Sequence, residues 1–437
     1  MTVLDGALGH WAGRWLDKLP GRRTLKLTLA SNGVIFVASI GTSVLMARLL
    51  GPADRGTVAR IMYWPGLASG LFCLSLNEAL VVVLGKDPAR RSDRVRTALA
   101  LSAGLAAVAS AVLATALPFL LSAGASGLLG EARLFSVAFV TASLVSMILI
   151  AEDQSAGRFG RYNLLRVLQQ LALLAGLAVL WLTKSQSPAT VLAAVALSLG
   201  VPFTARIVHY IAGEAGHLNA PDARGLLRTG ARIQLLNVSG YLATQMDQAF
   251  LSFLLSAHDF GLYAVALAVG SAHATIVGTS VSAVDFPRLA ALQDQEAALR
   301  QAIDGFRKPL RLSLVGSVIL TPLAFLAVPI VYGKDFSGAA LPAVLLSLGT
   351  AARAYRSYLS YAARALGLIR TALFGEWTAA GATLVLLPVL TTSYGLTGAA
   401  VAVTAANWLG LAATLGPLSR RARAVDAASL PPGRALA

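Results

Sequence analysis

The chain has 437 residues, of which 56% are hydrophobic and only 13% are charged, and its mean hydropathy is +0.70. Soluble domains carry roughly 25% charged residues, so this composition excludes an ordinary soluble domain and predicts a protein that crosses a membrane many times. The net charge of +16 comes from basic residues clustered between apolar stretches rather than on one face, which argues against a nucleic-acid partner. With a single cysteine, the chain forms no internal disulfide.

Twelve apolar stretches are long enough to cross the hydrocarbon core of a bilayer, which takes about 20 helical residues. Charged residues or Gly and Pro separate them. They lie near residues 29–50, 57–84, 97–121, 132–151, 162–182, 189–212, 232–255, 261–285, 310–331, 339–364, 370–391 and 397–417. The sequence therefore predicts an all-α membrane protein with about twelve transmembrane helices.

The distribution of basic residues predicts the orientation. When the N-terminus is placed inside, most of the 36 Lys and Arg residues fall into loops on the inner side. Short loops rich in Lys and Arg are retained in the cytoplasm. Both termini are therefore expected to be cytoplasmic.

Two similar charged hairpins indicate an internal repeat. "LMARLLGPADRGTVA" (45–59) and "FLSFLLSAHDFGLYA" (250–264) align at an offset of 205 residues. Helix capping alone would explain the shared Asp and Gly, but not a shared Asn upstream. The identical pairs include Asp54 with Asp259, Gly56 with Gly261, and Asn32 with Asn237.

Six spans separate the two hairpins, so both copies have the same orientation in the membrane. This predicts two six-helix lobes related by a pseudo-two-fold axis along the membrane normal, with a central cavity between them. The expected organisation is an amphipathic N-terminal segment (1–28), an N-lobe (29–212), a cytoplasmic linker (213–231), a C-lobe (232–417) and a cytoplasmic tail (418–437).

Several stretches resemble one family. They are "ARLLGPADRGTVA", "GRFGRYNLLRVLQQLALL", "MDQAFLSFLLSAHDFGLYAVA", "YGKDFSGAALP" and "YGLTGAAVA". They look like the Wzx-like flippases of polysaccharide and O-antigen repeat units, members of the multidrug/oligosaccharidyl-lipid/polysaccharide exporter superfamily. The resemblance covers roughly residues 25–420.

The resemblance implies a twelve-helix, two-lobed protein of the bacterial inner membrane. Such a protein would move undecaprenyl-diphosphate-linked oligosaccharide from the inner to the outer leaflet by alternating access, for surface polysaccharide and exopolysaccharide biosynthesis. Lipid II flippases of the superfamily usually have fourteen spans, whereas twelve are predicted here. One alternative is a multidrug or small-molecule exporter of the same fold, and another, from a different class, is a membrane glycan polymerase or ligase.

Ionisable groups inside a bilayer are costly, which makes each of them a functional candidate. His273 lies nearest the predicted midplane, and Asp247 lies between the centre and the outer surface. A carboxylate and an imidazole there could take and release protons, or Asp247 could bind a cation. The alternative is a hydrogen-bonded pair with a purely structural role.

The tenth span is the best candidate for a substrate-facing wall. A diphosphate requires cations, and guanidinium groups bind phosphate oxygens in a fork, whereas Tyr can stack on sugar. Arg48, Asn32 and Asn237 could also meet substrate, although snorkelling or helix packing would explain them as well. In the tenth span the candidates are Arg353, Arg356, Tyr355 and Tyr358.

Two further acidic residues, Glu78 and Glu376, lie near inner helix ends, where they could form a salt-bridge gate. The sequence contains no catalytic, metal-binding or ATP-binding motif. We therefore expect a transporter without cofactors, driven by a proton or sodium gradient, the membrane potential or product removal. The expected partners are the lipid-linked substrate, membrane lipids and the polymerase and glycosyltransferases of the same pathway, with the protein itself a monomer.

Overall fold

The computed structural model describes residues 22–87, 89–121, 127–211, 216–272, 295–365 and 368–429. Within these ranges the chain is helical and has no β-strand. The helices are α1 (Arg22–Phe72), α2 (Leu76–Lys86), α3 (Arg91–Leu120), α4 (Leu129–Ser155), α5 (Phe159–Leu182), α6 (Pro188–Gly200), α7 (Thr204–Ile211), α8 (Ala220–Leu254), α9 (257–272), α10 (Gln295–Ala327), α11 (Ala340–Ala365) and α12 (Ile369–Ser429). Short 3-10 turns cover Val201–Phe203 and Lys334–Ala339, and a π-helical turn covers Val328–Tyr332.

Two of the helices are too long for a single crossing. Helix α1 has 51 residues and α12 has 61. At about 1.5 Å per residue, each is more than twice as long as the hydrocarbon core is thick. Each is broken at a glycine with positive φ, +68° at Gly51 and +56° at Gly395, a conformation that glycine adopts without steric cost. These kinks coincide with the expected connections between spans one and two and between spans eleven and twelve.

The observed helices follow the twelve predicted spans in order. Seven described segments are long and apolar enough to cross a membrane, and two of them, Lys26–Lys86 and Ile369–Arg421, each hold two predicted spans. The sixth predicted span corresponds to α6 and α7, which a 3-10 turn joins. The seventh corresponds to α8, and the eighth begins with α9. Below, the end of the bundle that contains Gly51 and Gly395 is called the hairpin end, and the end where α2 meets α3 and α7 meets α8 is called the basic end.

Each half of the chain has its own apolar core. Two clusters of buried side chains use residues 46–195 and 76–226. Two others use residues 251–403, with Ala47 added, and residues 352–418. A core in each half is what two lobes require, but it does not fix the boundary residues, which remain predictions.

The segment predicted as a linker is mostly helical and is fastened to α3. Helix α8 begins at Ala220, inside the predicted linker 213–231. Arg96 donates to the carbonyl of Gly216 at 2.6 Å, and the amide of His217 donates to Asp93 at 2.7 Å. The start of the second lobe is therefore held against the first.

The two halves also meet at the hairpin end in a reciprocal contact. A Cβ added to Gly56 would overlap the carbonyl oxygen of Ala257, and one added to Gly261 would overlap the carbonyl oxygen of Pro52. Adding 205 to Gly56 gives Gly261, and adding 205 to Pro52 gives Ala257. Reciprocal contact between equivalent residues is the signature of a two-fold axis. The sequence repeat is thus also a spatial repeat, and its axis passes between the two glycines.

We expect Gly56→Ala to destabilise the protein by about 1–3 kcal/mol, because the added methyl group forces two backbones apart. Gly66→Ala is the matched control, since it lies in the same helix and a Cβ there meets nothing within 4 Å. Alanine is the better helix former, so the control should be neutral or stabilising. Thermal unfolding in detergent measures both. Equal melting temperatures for the two variants would contradict the close packing at Gly56.

Candidate functional site

Arginines from the first half of the chain close the space between the lobes at the hairpin end. The Nε of Arg48 donates to the carbonyl of Val331 at 2.8 Å, and its terminal nitrogen contacts the carbonyl of Ile330. Arg60 is buried, donates to the carbonyl of Leu255 and lies 5.4 Å from the ring centre of Phe260. Both guanidinium groups therefore bridge the two lobes.

Residues 63–78 meet residues 234–245 of α8 in what we call the closed seam. Tyr63 donates to the carbonyl of Gln245 at 2.8 Å, and Tyr241 donates to the carbonyl of Gly66 at 3.0 Å. Nearer the basic end, the amide of Asn237 donates to both oxygens of Glu78 at 3.1 and 3.2 Å. Hydrogen bonds thus join the lobes along the middle of α8, from Asn237 to Gln245.

The closed seam also contains a break between α1 and α2. Leu74 and Ser75 both have φ of +46°, which is unusual for residues with a Cβ. Gln234 in the opposite lobe donates to the carbonyl of Gly70 at 3.1 Å and accepts from the hydroxyl of Ser75 at 2.7 Å. Backbone groups freed within a membrane must find such partners, so the break is stabilised across the seam.

Residues 29–43 of α1 and 268–272 of α9 are the described part of the pseudo-symmetric counterpart, which we call the open seam. A groove of about 450 Å³ separates these helices. Arg166 is the charged side chain that lines it in the described part of the chain, and it donates to Asn32 at 3.2 Å. At the hairpin end the groove is bounded by Tyr332, whose hydroxyl lies 3.4 Å from that of Ser43.

A second, smaller cavity lies behind the closed seam. It has about 320 Å³ and contains both predicted gate residues, Glu78 and Glu376, on opposite lobes. Asn237 and the hydroxyls of Ser357 and Ser360 complete much of its polar wall. The cavity is acidic, in contrast to the groove that Arg166 lines.

Arg356 is fully buried inside the second lobe rather than exposed at a helix end. Its Nε lies 3.1 Å from Glu376 and its Nη1 donates to Asn407 at 3.2 Å. Ser360 donates to the second oxygen of Glu376 at 2.9 Å. The guanidinium of Arg356 is therefore paired with residues of α12 through its Nε and Nη1, and it lines neither of the cavities above.

Asp247 lies in the C-terminal third of α8 and is 5% exposed. Tyr263 of α9 donates to its Oδ2 at 2.6 Å. The charge of half-buried Arg353 acts on Asp247 and on Arg356, so Arg353 lies near both buried groups. The structure thus brings together two residues that were predicted for different roles, ion coupling and substrate binding.

The structure places two further predicted residues, Tyr355 and Tyr358, in neither of these cavities. Tyr355 lies in the apolar core of the second lobe, and Tyr358 packs against the same cluster. Neither lines the groove or the acidic cavity. His273 lies outside the described residues, and the roles predicted for all three stay predictions.

Several functional candidates were missed from the sequence. The sequence patterns single out neither Arg166 nor Gln234. A buried cluster at the basic end was also missed: Asp153 accepts from Arg206 at 2.8 Å and from Arg161 at 2.7 Å, and Glu152 pairs with Arg206. Two consecutive acidic residues at the end of a span, followed by "GRFGR", were the available signal.

The geometry can support transport across a membrane. The lobes meet at the hairpin end and along the closed seam, whereas a groove separates α1 and α9 among the described residues of the open seam. No cluster of His, Cys, Asp or Glu suited to a metal ion occurs among the described residues. The fold and the groove between the lobes together define a membrane transporter of the flippase and exporter type.

Comparison with known proteins agrees with this class. A family model described as "Polysaccharide biosynthesis protein" matches residues 45–341, which is more than half of the chain. The chain belongs to this family of polysaccharide biosynthesis proteins, and the resemblance inferred from its motifs is confirmed. Among curated proteins, none matches the chain significantly.

Solved structures of transporters share the fold. The lipid II flippase MurJ in an inward closed conformation aligns with a TM-score of 0.71 at 14% identity, over 93% of each chain. An inward-facing multidrug resistance MATE transporter of the MOP superfamily gives 0.71 at 13% identity, over 93% of this chain and 100% of that one. A MATE transporter of Vibrio cholerae gives 0.60 at 15% identity, over 92% and 96%. The predicted all-α, two-lobed fold class is confirmed.

We expect Glu376→Gln to destabilise the protein by about 3–5 kcal/mol, because it leaves the guanidinium of Arg356 buried without a counter-charge. Glu78→Gln is the control, since Glu78 lines the same cavity but is exposed, and it should change stability little. Thermal unfolding in detergent gives the comparison. If the two variants melted together, the ion pair of Arg356 and Glu376 would not be a structural requirement.

Proposed function

We propose that the protein is a flippase for undecaprenyl-diphosphate-linked oligosaccharide. In this role it moves the glycan from the inner to the outer leaflet of the bacterial inner membrane by alternating access, for surface polysaccharide biosynthesis. Both termini lie in the cytoplasm, the glycosyltransferases supply the substrate and a polymerase consumes it. Membership of a polysaccharide biosynthesis family supports the substrate class.

The observation that carries the proposal is the difference between the two seams. A lipid-linked substrate keeps its tail in the bilayer while its head group crosses, so the cleft must open sideways to the lipid. The closed seam is joined by the bonds of Tyr63, Tyr241 and Asn237, whereas the open seam contains a groove. The head group would enter through the open seam while the lobes stay joined at the hairpin end.

Arg166 suits an anionic head group. It lines the groove toward the basic end, where a substrate made in the cytoplasm would arrive, and Asn32 holds it in place. Guanidinium binds phosphate oxygens in a fixed fork. Arg353 lies deeper, beside Asp247, and is the candidate for a second contact as the substrate moves on.

A specific observation favours the alternative, an exporter of small molecules. The cavity that contains Glu78 and Glu376 is acidic, which suits a cationic compound better than a diphosphate. A membrane glycan polymerase or ligase is the remaining alternative. The transporter fold of the structural neighbours favours transport over either enzyme.

Deletion of the gene separates these possibilities. We expect lipid-linked glycan to accumulate in the inner leaflet, which labelling of glycan in right-side-out and inverted vesicles measures. Accumulation in the outer leaflet would indicate a polymerase instead. Hypersensitivity to cationic drugs with normal surface glycan would indicate an exporter, and either result would contradict the flippase.

In the complemented deletion strain, Arg166→Ala should lower export about tenfold or more, because a charge-assisted hydrogen bond contributes roughly 1.5–3 kcal/mol. Arg166→Lys keeps the charge and should restore part of the rate. Arg311→Ala removes an exposed arginine of α10 and serves as the control. Full export by the Arg166→Ala variant would exclude this residue from the substrate path.

We further propose that Asp247 couples transport to a proton or sodium gradient. Asp247→Asn keeps an acceptor for the hydroxyl of Tyr263 but removes the charge. Export should then no longer accelerate when a gradient is imposed on inverted vesicles. Asp54→Asn, in the exposed hairpin, is the control and should respond like the unaltered protein. An unchanged response of the Asp247→Asn variant would remove this residue from the coupling mechanism.

A further inference from the structure

A third cavity lies away from the cleft, on the outside of the bundle. It is a groove of about 600 Å³ between α3 and the segment 218–227, and we call it the α3 groove. On α3, small or short side chains recur every four residues along the groove. They therefore form a shallow channel along one face of the helix. Val108 and Leu218 are 53% and 64% exposed, which leaves the groove open to its surroundings. The residues that define it are Ala100, Gly104 and Val108 on α3, and Leu218, Ala223 and Leu227 opposite.

The polarity of the α3 groove changes along its length. It is apolar from Leu101 to Val108 and becomes polar toward the basic end, where Thr97 and Asn219 line it. The backbone N–H of Asn219 donates to the hydroxyl of Thr97 at 3.3 Å, so these two groups close the polar end. Hydroxyl and amide groups there suit the ester region of a lipid rather than its chain.

Positive charge is available at the start of α3 and beside the groove on α8. Arg90 and Arg94 are partly neutralised, because Asp222 lies 2.9 Å from the first and 3.6 Å from the second. Arg224 and Arg228, by contrast, are exposed and have no ion pair in the described part of the chain. Each follows a groove residue by one position in α8, so both flank the groove on adjacent turns.

The length of the α3 groove limits the length of the lipid chain that it can hold. From Thr97 to Val108 there are eleven helical steps, or about 16 Å at about 1.5 Å per residue. Half of a hydrocarbon core of about 30 Å is about 15 Å, the depth of one leaflet. The groove therefore matches a chain that stays within one leaflet, whereas a long polyprenyl tail would extend beyond it.

We propose that the α3 groove binds an anionic phospholipid of the leaflet at the basic end. One acyl chain lies between α3 and the segment 218–227, and the phosphate lies near Arg224 and Arg228. Basic pockets between helices at the cytoplasmic surface bind lipid head groups in this way. Because α3 belongs to the first half of the chain and α8 begins the second, the lipid holds the two together at the place where the chain passes between them.

Native mass spectrometry of the purified full-length protein tests the site, with phosphatidylglycerol and phosphatidylcholine as probes. We expect retained phosphatidylglycerol and at least tenfold weaker retention of phosphatidylcholine. Gly104→Trp should fill the groove and lower phosphatidylglycerol binding about tenfold or more. The double variant Arg224→Gln and Arg228→Gln should do the same without altering the groove.

Two matched controls should leave binding unchanged. Val112→Trp lies one turn beyond the groove on the same face of α3 and is already exposed. Arg420→Gln with Arg421→Gln removes two exposed arginines from α12. Equal retention of both lipids, equal loss in the controls, or displacement of phosphatidylglycerol by a polyprenyl diphosphate at equal concentration would each overturn the proposal. If Gly104→Trp did not fold, the double arginine variant would decide the result.

Discussion

The contact between Gly56 and Gly261 is the constraint on which the rest of the architecture depends. Two backbones can approach this closely only where neither residue has a Cβ, so glycine is required in both copies of the repeat. At the hairpin end, the pseudo-two-fold axis passes through this contact. The contact also makes the hairpin end the meeting point of the two lobes, so any space between them must open elsewhere along the axis.

The repeat makes the two seams equivalent in topology, and their side chains make them different. On the closed seam, tyrosines and amides bond to main-chain carbonyls of the opposite lobe. On the open seam, the equivalent position holds a groove that Arg166 lines in the described part of the chain. Among the described residues, two lobes related by symmetry thereby differ at their two seams.

Some charged residues inside the bundle are paired and stabilise the fold, whereas others remain accessible. Arg356 and Glu376 are buried together, and Asn407 and Ser360 add hydrogen bonds that offset the cost of removing both charges from water. The cluster of Asp153, Arg161 and Arg206 connects three helices of the first lobe in the same way. Arg166 and Arg353 are half-exposed, so their charges remain available to a ligand.

Hydropathy and charge alone determined the all-helical class and the order of the spans, because a bilayer imposes a fixed length and a satisfied backbone on every crossing. The repeat followed from identical residues at an offset of 205. The family followed from motifs that span the repeat. The partners of the intramembrane charges were decided only by the tertiary structure. Arg356 and Arg353 are three residues apart on one helix, yet one is enclosed by α12 and the other lies beside Asp247. Which neighbour a polar side chain meets depends on the packing of helices that are distant in sequence, and helical periodicity within one span carries no information about it.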